Sequence, residues 1–309
     1  MKHTTLGLAL LALLASSACS QAQSSPEALA KAVQTAFSKG DFDAARKLAD
    51  IELAPAQLHF FYFDAVRECA SESVCSTSTA AADAELITRL KEQAAQMNAE
   101  APKVEGTIKI EMKAKDGSSS GKMEMPYAKV GNAYKLVSIA YPPTEIARLK
   151  ATSSESLLKE FFSKGIRDSK GELRTDWETV ATKLPADGGE AGKAFVEQTR
   201  KMSAAVDARD PDAAMNSGSQ MARMIYRDKG WDDKPIALAD RQAKLRVQAL
   251  RMLRDVKVSG GYQFEDAAVL LIDARDGIGW SVRGPILLTK DGEAWDKAGD
   301  NLVSFPASP

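Results

Sequence analysis

Histidine and cysteine are the side chains best able to run acid–base, nucleophilic or metal chemistry near neutral pH. This chain has few of them: His3, His59, Cys19, Cys69 and Cys75. His3 falls in the leader described below. His59 is then the one imidazole available for a reaction, inside Leu58-His59-Phe60-Phe61-Tyr62-Phe63. A histidine base needs a carboxylate to orient it, and Asp64 and Glu68 are the candidates. The apolar run around it favours a plainer role, a helix-face histidine beside a core stripe. No G-x-S-x-G elbow, P-loop or H-E-x-x-H occurs. Gly277-x-Gly279 precedes strand-like sequence, so it is no dinucleotide loop. Clustered His and Cys ligands for zinc are missing. Asp291, Glu293, Asp296 and Asp300 surround a turn without the spacing of a calcium loop. Neither a catalytic set, a cofactor nor a metal is therefore expected.

What remains are residues suited to contact. Tyr134 and Trp280 are aromatic candidates for a pocket lining. Arg251 and Arg254, with Arg241 and Lys244, give one helix a basic face that suits anionic headgroups or an acidic protein. A net charge of −1 over 309 residues argues against nucleic acid, whose binders are normally basic.

The start of the chain says where it works. Lys2, the apolar stretch 6–15 and the small residues Ser16-Ser17-Ala18-Cys19 read as an export leader, too short to cross a bilayer. Two processing sites compete. Ser20-Gln21-Ala22 suits ordinary secretory cleavage. Leu14-Ala15-Ser16-Ser17-Ala18-Cys19 resembles a bacterial lipobox, with Ser16 where that motif prefers leucine. The resemblance implies lipid on Cys19 and, because Ser20 rather than aspartate follows, an anchor on the periplasmic side of the outer membrane. An exported chain meets an oxidising compartment, so Cys69 and Cys75 are expected to bond to each other. Closing so short a loop contributes about 2 kcal/mol. Their spacing is not C-x-x-C, which disfavours a redox role.

The elements that must position these residues follow two periods. After the leader, 1–22, the stretch 26–142 begins with helices. Ser25-Pro26 is a helix start, Leu29, Val33 and Phe37 share a face, and Gly40 stops the helix. Leu58, Phe61, Ala65, Val66 and Cys69 form the expected stripe of a third helix, and Leu86, Leu90 and Met97 that of a fourth. The period then drops to two: Ile108, Ile110 and Met112, then Met123, Met125 and Tyr127, alternate with charges. Residues 143–189 are expected as a helical linker, with Thr175-Asp176-Trp177-Glu178 as a capping box. From 190 to 305 helices again precede a meander. Ala267 to Ile272 is an apolar, β-prone run, and Asp276-Gly277 supplies freedom for a tight turn.

The fold class expected is therefore α+β, two similar units, each helices followed by a curved antiparallel meander. Short matches in the same order support a diverged duplication. Lys39-Gly40-Asp41-Phe42-Asp43-Ala44-Ala45 compares with Ala208-Arg209-Asp210-Pro211-Asp212-Ala213-Ala214. Asp116-Gly117 matches Asp276-Gly277, and Gly131-Asn132-Ala133-Tyr134 matches Gly292-Glu293-Ala294-Trp295. Helices before a curved sheet, the inter-helix turn at residues 39–45 and the aromatic turn at 292–295 resemble the nuclear transport factor 2-like (SnoaL-like, cystatin-like) cone fold. That fold hosts enzymes and binding proteins alike. The reading reached from sequence is a non-enzymatic envelope lipoprotein that binds a protein or small ligand. Two alternatives stand beside it: an immunity or inhibitor lipoprotein that neutralises a toxin, and a SnoaL-like enzyme with an acid or base lining its cone.

Overall fold

A computed structural model describes residues 23–167, 171–218, 227, 229, 233–292 and 294–307. Cys19 and the rest of the expected leader, residues 1–22, lie outside the described residues. The chain divides into two compact units, one up to Pro142 and one from Pro143. Each carries helices and a curved antiparallel sheet.

In the first unit, helix α1 (Pro26–Lys39) is capped by the Ser25 hydroxyl, which accepts from the Ala28 N–H at 3.2 Å. Gly40 ends it at φ 62°, a left-handed conformation that glycine adopts without strain. Asp41 then caps α2 (Phe42–Lys47). Strand β1 (Ala49–Asp50), helix α3 (Ala56–Ser71), β2 (Ser73–Ala80), α4 (Ala84–Gln96), β3 (Gly106–Ala114), β4 (Ser120–Val130) and β5 (Ala133–Val137) complete the unit. The sheet order is β1-β5-β4-β3-β2, antiparallel except where β1 runs parallel to β5. Leu29, Val33 and Phe37 of α1 are fully buried with Ile108 and Ile110 of β3.

Helix α3 departs from the expected stripe. Phe61 is exposed and Leu58 half-buried, while His59, Phe60, Tyr62, Phe63 and Val66 point inward. Apolar residues fill almost every position from Leu58 to Phe63, so periodicity there could not identify the inner face.

The second unit contains α5 (Pro143–Ala151), α6 (Ser154–Ser163), β6 (Ile166–Arg167), β7 (Leu173–Arg174), α7 (Trp177–Val180), β8 (Thr182–Leu184), α8 (Gly189–Ala208), α9 (Pro211–Met215) and α10 (Leu238–Gln248). A 3₁₀ turn, Ala249–Arg251, leads into β9 (Arg254–Phe264), β10 (Ala267–Arg275), β11 (Ser281–Asp291), β12 (Ala294–Asp300) and β13 (Val303–Phe305). The order is β12-β11-β10-β9-β8, with β13 also pairing β11. Register shifts in β10 and β11 mark bulges, which bend a sheet.

Residues 143–189 are not a linker. Ala268, Leu270 and Ile272 of β10 meet Ala191 and Phe195 of α8, while Ala267 and Val269 meet Leu158, Phe162, Ile166 and Trp177 on the opposite face. A strand apolar at both parities must be covered on both sides, and 143–189 supplies the second cover. The expected capping box does not form: Asp176 makes no side-chain cap and instead binds Arg174 at 2.8 Å.

The matched strings occupy matching places. Gly40-Asp41 joins α1 to α2, and Arg209-Asp210 joins α8 to α9, with Arg209 at φ 55° and Asp210 accepting from the N–H groups of Asp212 and Ala213. Asp116-Gly117 turns β3 into β4, and Asp276-Gly277 turns β10 into β11. Gly131-Asn132 and Gly292 open the next hairpin in each unit. The correspondence breaks at α4, which separates β2 from β3, whereas β9 and β10 are joined by the tight turn at Glu265-Asp266.

Candidate functional site

His59 is 4% exposed on the inner face of α3. Helix geometry turns about 100° per residue, which sets Asp64 and Glu68 roughly 140° and 180° away from it. Both carboxylates serve the far side of the helix. Asp64 accepts from Arg67 Nε at 2.6 Å, and Glu68 accepts from the Ser73 hydroxyl at 3.5 Å. The orienting carboxylate that a histidine base requires is therefore not supplied by either. The imidazole is instead held neutral. Burial lowers its pKa most, the Arg46 charge adds to that, and backbone hydrogen bonding at Ala54 and Ile51 pulls it partway back, leaving it at about 4.

Aromatic packing closes this region. Arg46 lies over the Phe63 ring at 5.2 Å, Phe42 stacks on Phe63 at 5.5 Å, and Tyr62 donates to the Ala45 carbonyl at 2.6 Å. Burial pushes the Tyr62 phenol well above its ordinary range. At the end of α3, Cys69 and Cys75 stand in disulfide geometry, with Cα atoms 5.4 Å apart. Arg67, which sequence reasoning passed over, anchors the same end through Asp64 and Glu72, both at 2.6 Å. The Asp-x-x-Arg spacing on one helix was the available signal.

The contact candidates are scattered. Tyr134 sits on β5 with its ring edge-on to Tyr127 at 5.9 Å. Trp280 is buried in the β10–β11 turn rather than displayed on a sheet face, and its backbone N–H donates to the Asp276 carboxylate at 2.8 Å. Asp276 itself is buried; it also accepts from the Ile278 N–H at 3.1 Å and the Ser304 hydroxyl at 2.9 Å. Burial raises its pKa against the pull of these bonds. Arg251 is exposed, whereas Arg254 binds Asp207 at 2.9 Å and Arg241 binds Asp212 at 2.5 Å. The expected basic face of one helix does not form: Arg241 and Lys244 lie on α10, Arg251 ends the 3₁₀ turn and Arg254 opens β9, while Arg241 and Arg254 are paired with acids of α9 and α8. In the acidic turn, Asp300 binds Lys297, and Glu293 lies outside the described residues. Among the described residues no group of three His, Cys, Asp or Glu side chains could hold a metal, and no helix is long and apolar enough to cross a membrane.

The surface instead displays large apolar side chains beside this core: Phe61 is 52% exposed and Leu53, in the loop before α3, 42%. No protein-family model and no curated protein matches the chain. Among solved structures it is similar to a cystatin-like protein from Ruminococcus gnavus, at 12% identity and a TM-score of 0.23, over 96% of this chain and 92% of that one. A likeness that distant carries no argument, so the α+β assignment rests on the strands and helices themselves.

Proposed function

We propose that the protein is a non-enzymatic, lipid-anchored component of the bacterial envelope, built of two diverged nuclear transport factor 2-like units, and that it works by binding a protein. One observation carries this reading. The groups whose proton affinities depart from normal by burial, His59, Tyr62 and Asp276 among them, are sealed in cores or knotted into a turn. A general acid or base must reach its substrate. The other shifted carboxylates, such as Glu160 and Glu197, are surface groups paired with neighbouring lysine or arginine. Phe61 supplies what a protein interface buries, a large aromatic anchor held by a rigid helix. A photo-cross-linking residue at position 61, used in intact envelopes, is expected to yield a discrete heavier species. The same probe at exposed Ser76 should not. Equal, diffuse products from both positions would contradict a specific partner.

A further inference from the structure

The described chain begins at a fixed point. The Gln23 carbonyl accepts from the Tyr134 N–H at 2.8 Å, and its side-chain amide donates to the Lys47 carbonyl at 3.2 Å. Gln23 therefore lies along the outer edge of β5, in line with β1. Cys19 is four residues upstream, and four residues reach at most about 14 Å. A lipid on Cys19 thus brings one particular end of the first unit against the headgroups.

That end carries lysines. Lys47 holds Gln23 through its carbonyl, Lys135 follows Tyr134, and Lys129 faces Tyr134 across the β4–β5 ladder. Lys47 and Lys129 are exposed and Lys135 is half-buried. Lys129 shares a face with Tyr134 and Lys135 a face with Ala128, so the two project from opposite sides of the hairpin, and both reach a surface only when it lies across the hairpin's end. Asp50 lies farther along the same edge, opposite Val137, two residues beyond the pairing of Lys135 with Ala128.

We infer that this surface, the end of α2 with the β4–β5 hairpin, docks on the bilayer, with Lys47, Lys129 and Lys135 contacting anionic lipid headgroups. The inference rests on the lipid-anchored reading above and adds to it an orientation and a lipid class. A tether alone leaves the unit free to tumble; lysines on both sides of the hairpin and at the end of α2 hold that end down.

The test uses full-length protein purified from the envelope, with radiolabelled palmitate reporting the anchor separately. It is reconstituted into vesicles of phosphatidylcholine alone, or of phosphatidylcholine with phosphatidylglycerol. Amide hydrogen exchange is followed at residues 45–48 and 128–136. Exchange there should slow severalfold in the anionic vesicles, while the sheet of the second unit is unchanged. The slowing should vanish in Lys47→Glu/Lys129→Glu/Lys135→Glu, and in the wild type at about 1 M salt, where the screening length falls to roughly 3 Å. Label on the protein with equal exchange in both vesicles overturns the docking inference and leaves the anchor standing. Protein without label overturns the anchor and the docking with it, because the tether is what places this face.

Discussion

At the scale of single residues, His59 is the side chain that best separates packing from catalysis. Its folded pKa of about 4 lies below the ordinary 6.5. The unfolded chain therefore binds the proton more readily, and stability falls as pH drops from 6.5 through 4. The full loss, reached below pH 4, amounts to about 3 kcal/mol. Urea denaturation across this range is expected to show that fall in wild type and to lose that part of it in His59→Leu. An unchanged pH dependence in the variant would mean that the imidazole is not buried as described. The sequence announced part of this: a histidine among five apolar neighbours suits a core. It could not reveal how far inside the residue sits, because the whole run is apolar. The cysteine pair was more legible, since Cys69 and Cys75 are the two cysteines of the sequence beyond the expected leader and stand six residues apart. Alkylation of unreduced protein should leave Cys69 and Cys75 both unmodified, and label on either contradicts the bond.

At the scale of elements, similar strings serve different physical needs. Gly117 turns at φ 75° with nothing near its missing Cβ, so Gly117→Ala carries only a conformational penalty, about 1 kcal/mol. Gly277 has no left-handed backbone; a Cβ there would lie 1.8 Å from the Ala249 carbonyl oxygen. Gly277→Ala is therefore expected to lose about 3 kcal/mol, because backbone must separate from backbone. Denaturation midpoints should rank the two variants in that order; the reverse would place the constraint wrongly. Turn composition marked both hairpins correctly, and it could not report that a helix end presses on one of them. The exposed Phe61 was misread for a related reason. Its stripe and the true inner stripe are both apolar, and only the positions of α1, α2 and the sheet decide between them.

At the scale of the whole chain, the α+β class and the two units with curved antiparallel sheets were legible from apolar periods and turn residues. The role of residues 143–189 was not. Their helices look like any amphipathic connection until β10 is seen to need cover on both faces, a requirement set by strands about a hundred residues away in sequence. If the units descend from one ancestor, their sheets should superpose strand for strand over β3, β4 and β5 with β10, β11 and β12; mismatched hairpins would rule that out. The central claim, that the protein acts by contact and not by acid–base chemistry, has one direct test. A strain lacking the gene is complemented with His59→Leu and, separately, with Phe61→Ser, with each protein confirmed by blot at the wild-type level. Restoration of the wild-type phenotype by His59→Leu and failure by Phe61→Ser is the expected result. Failure by His59→Leu with restoration by Phe61→Ser would contradict the account and make the buried imidazole the working group.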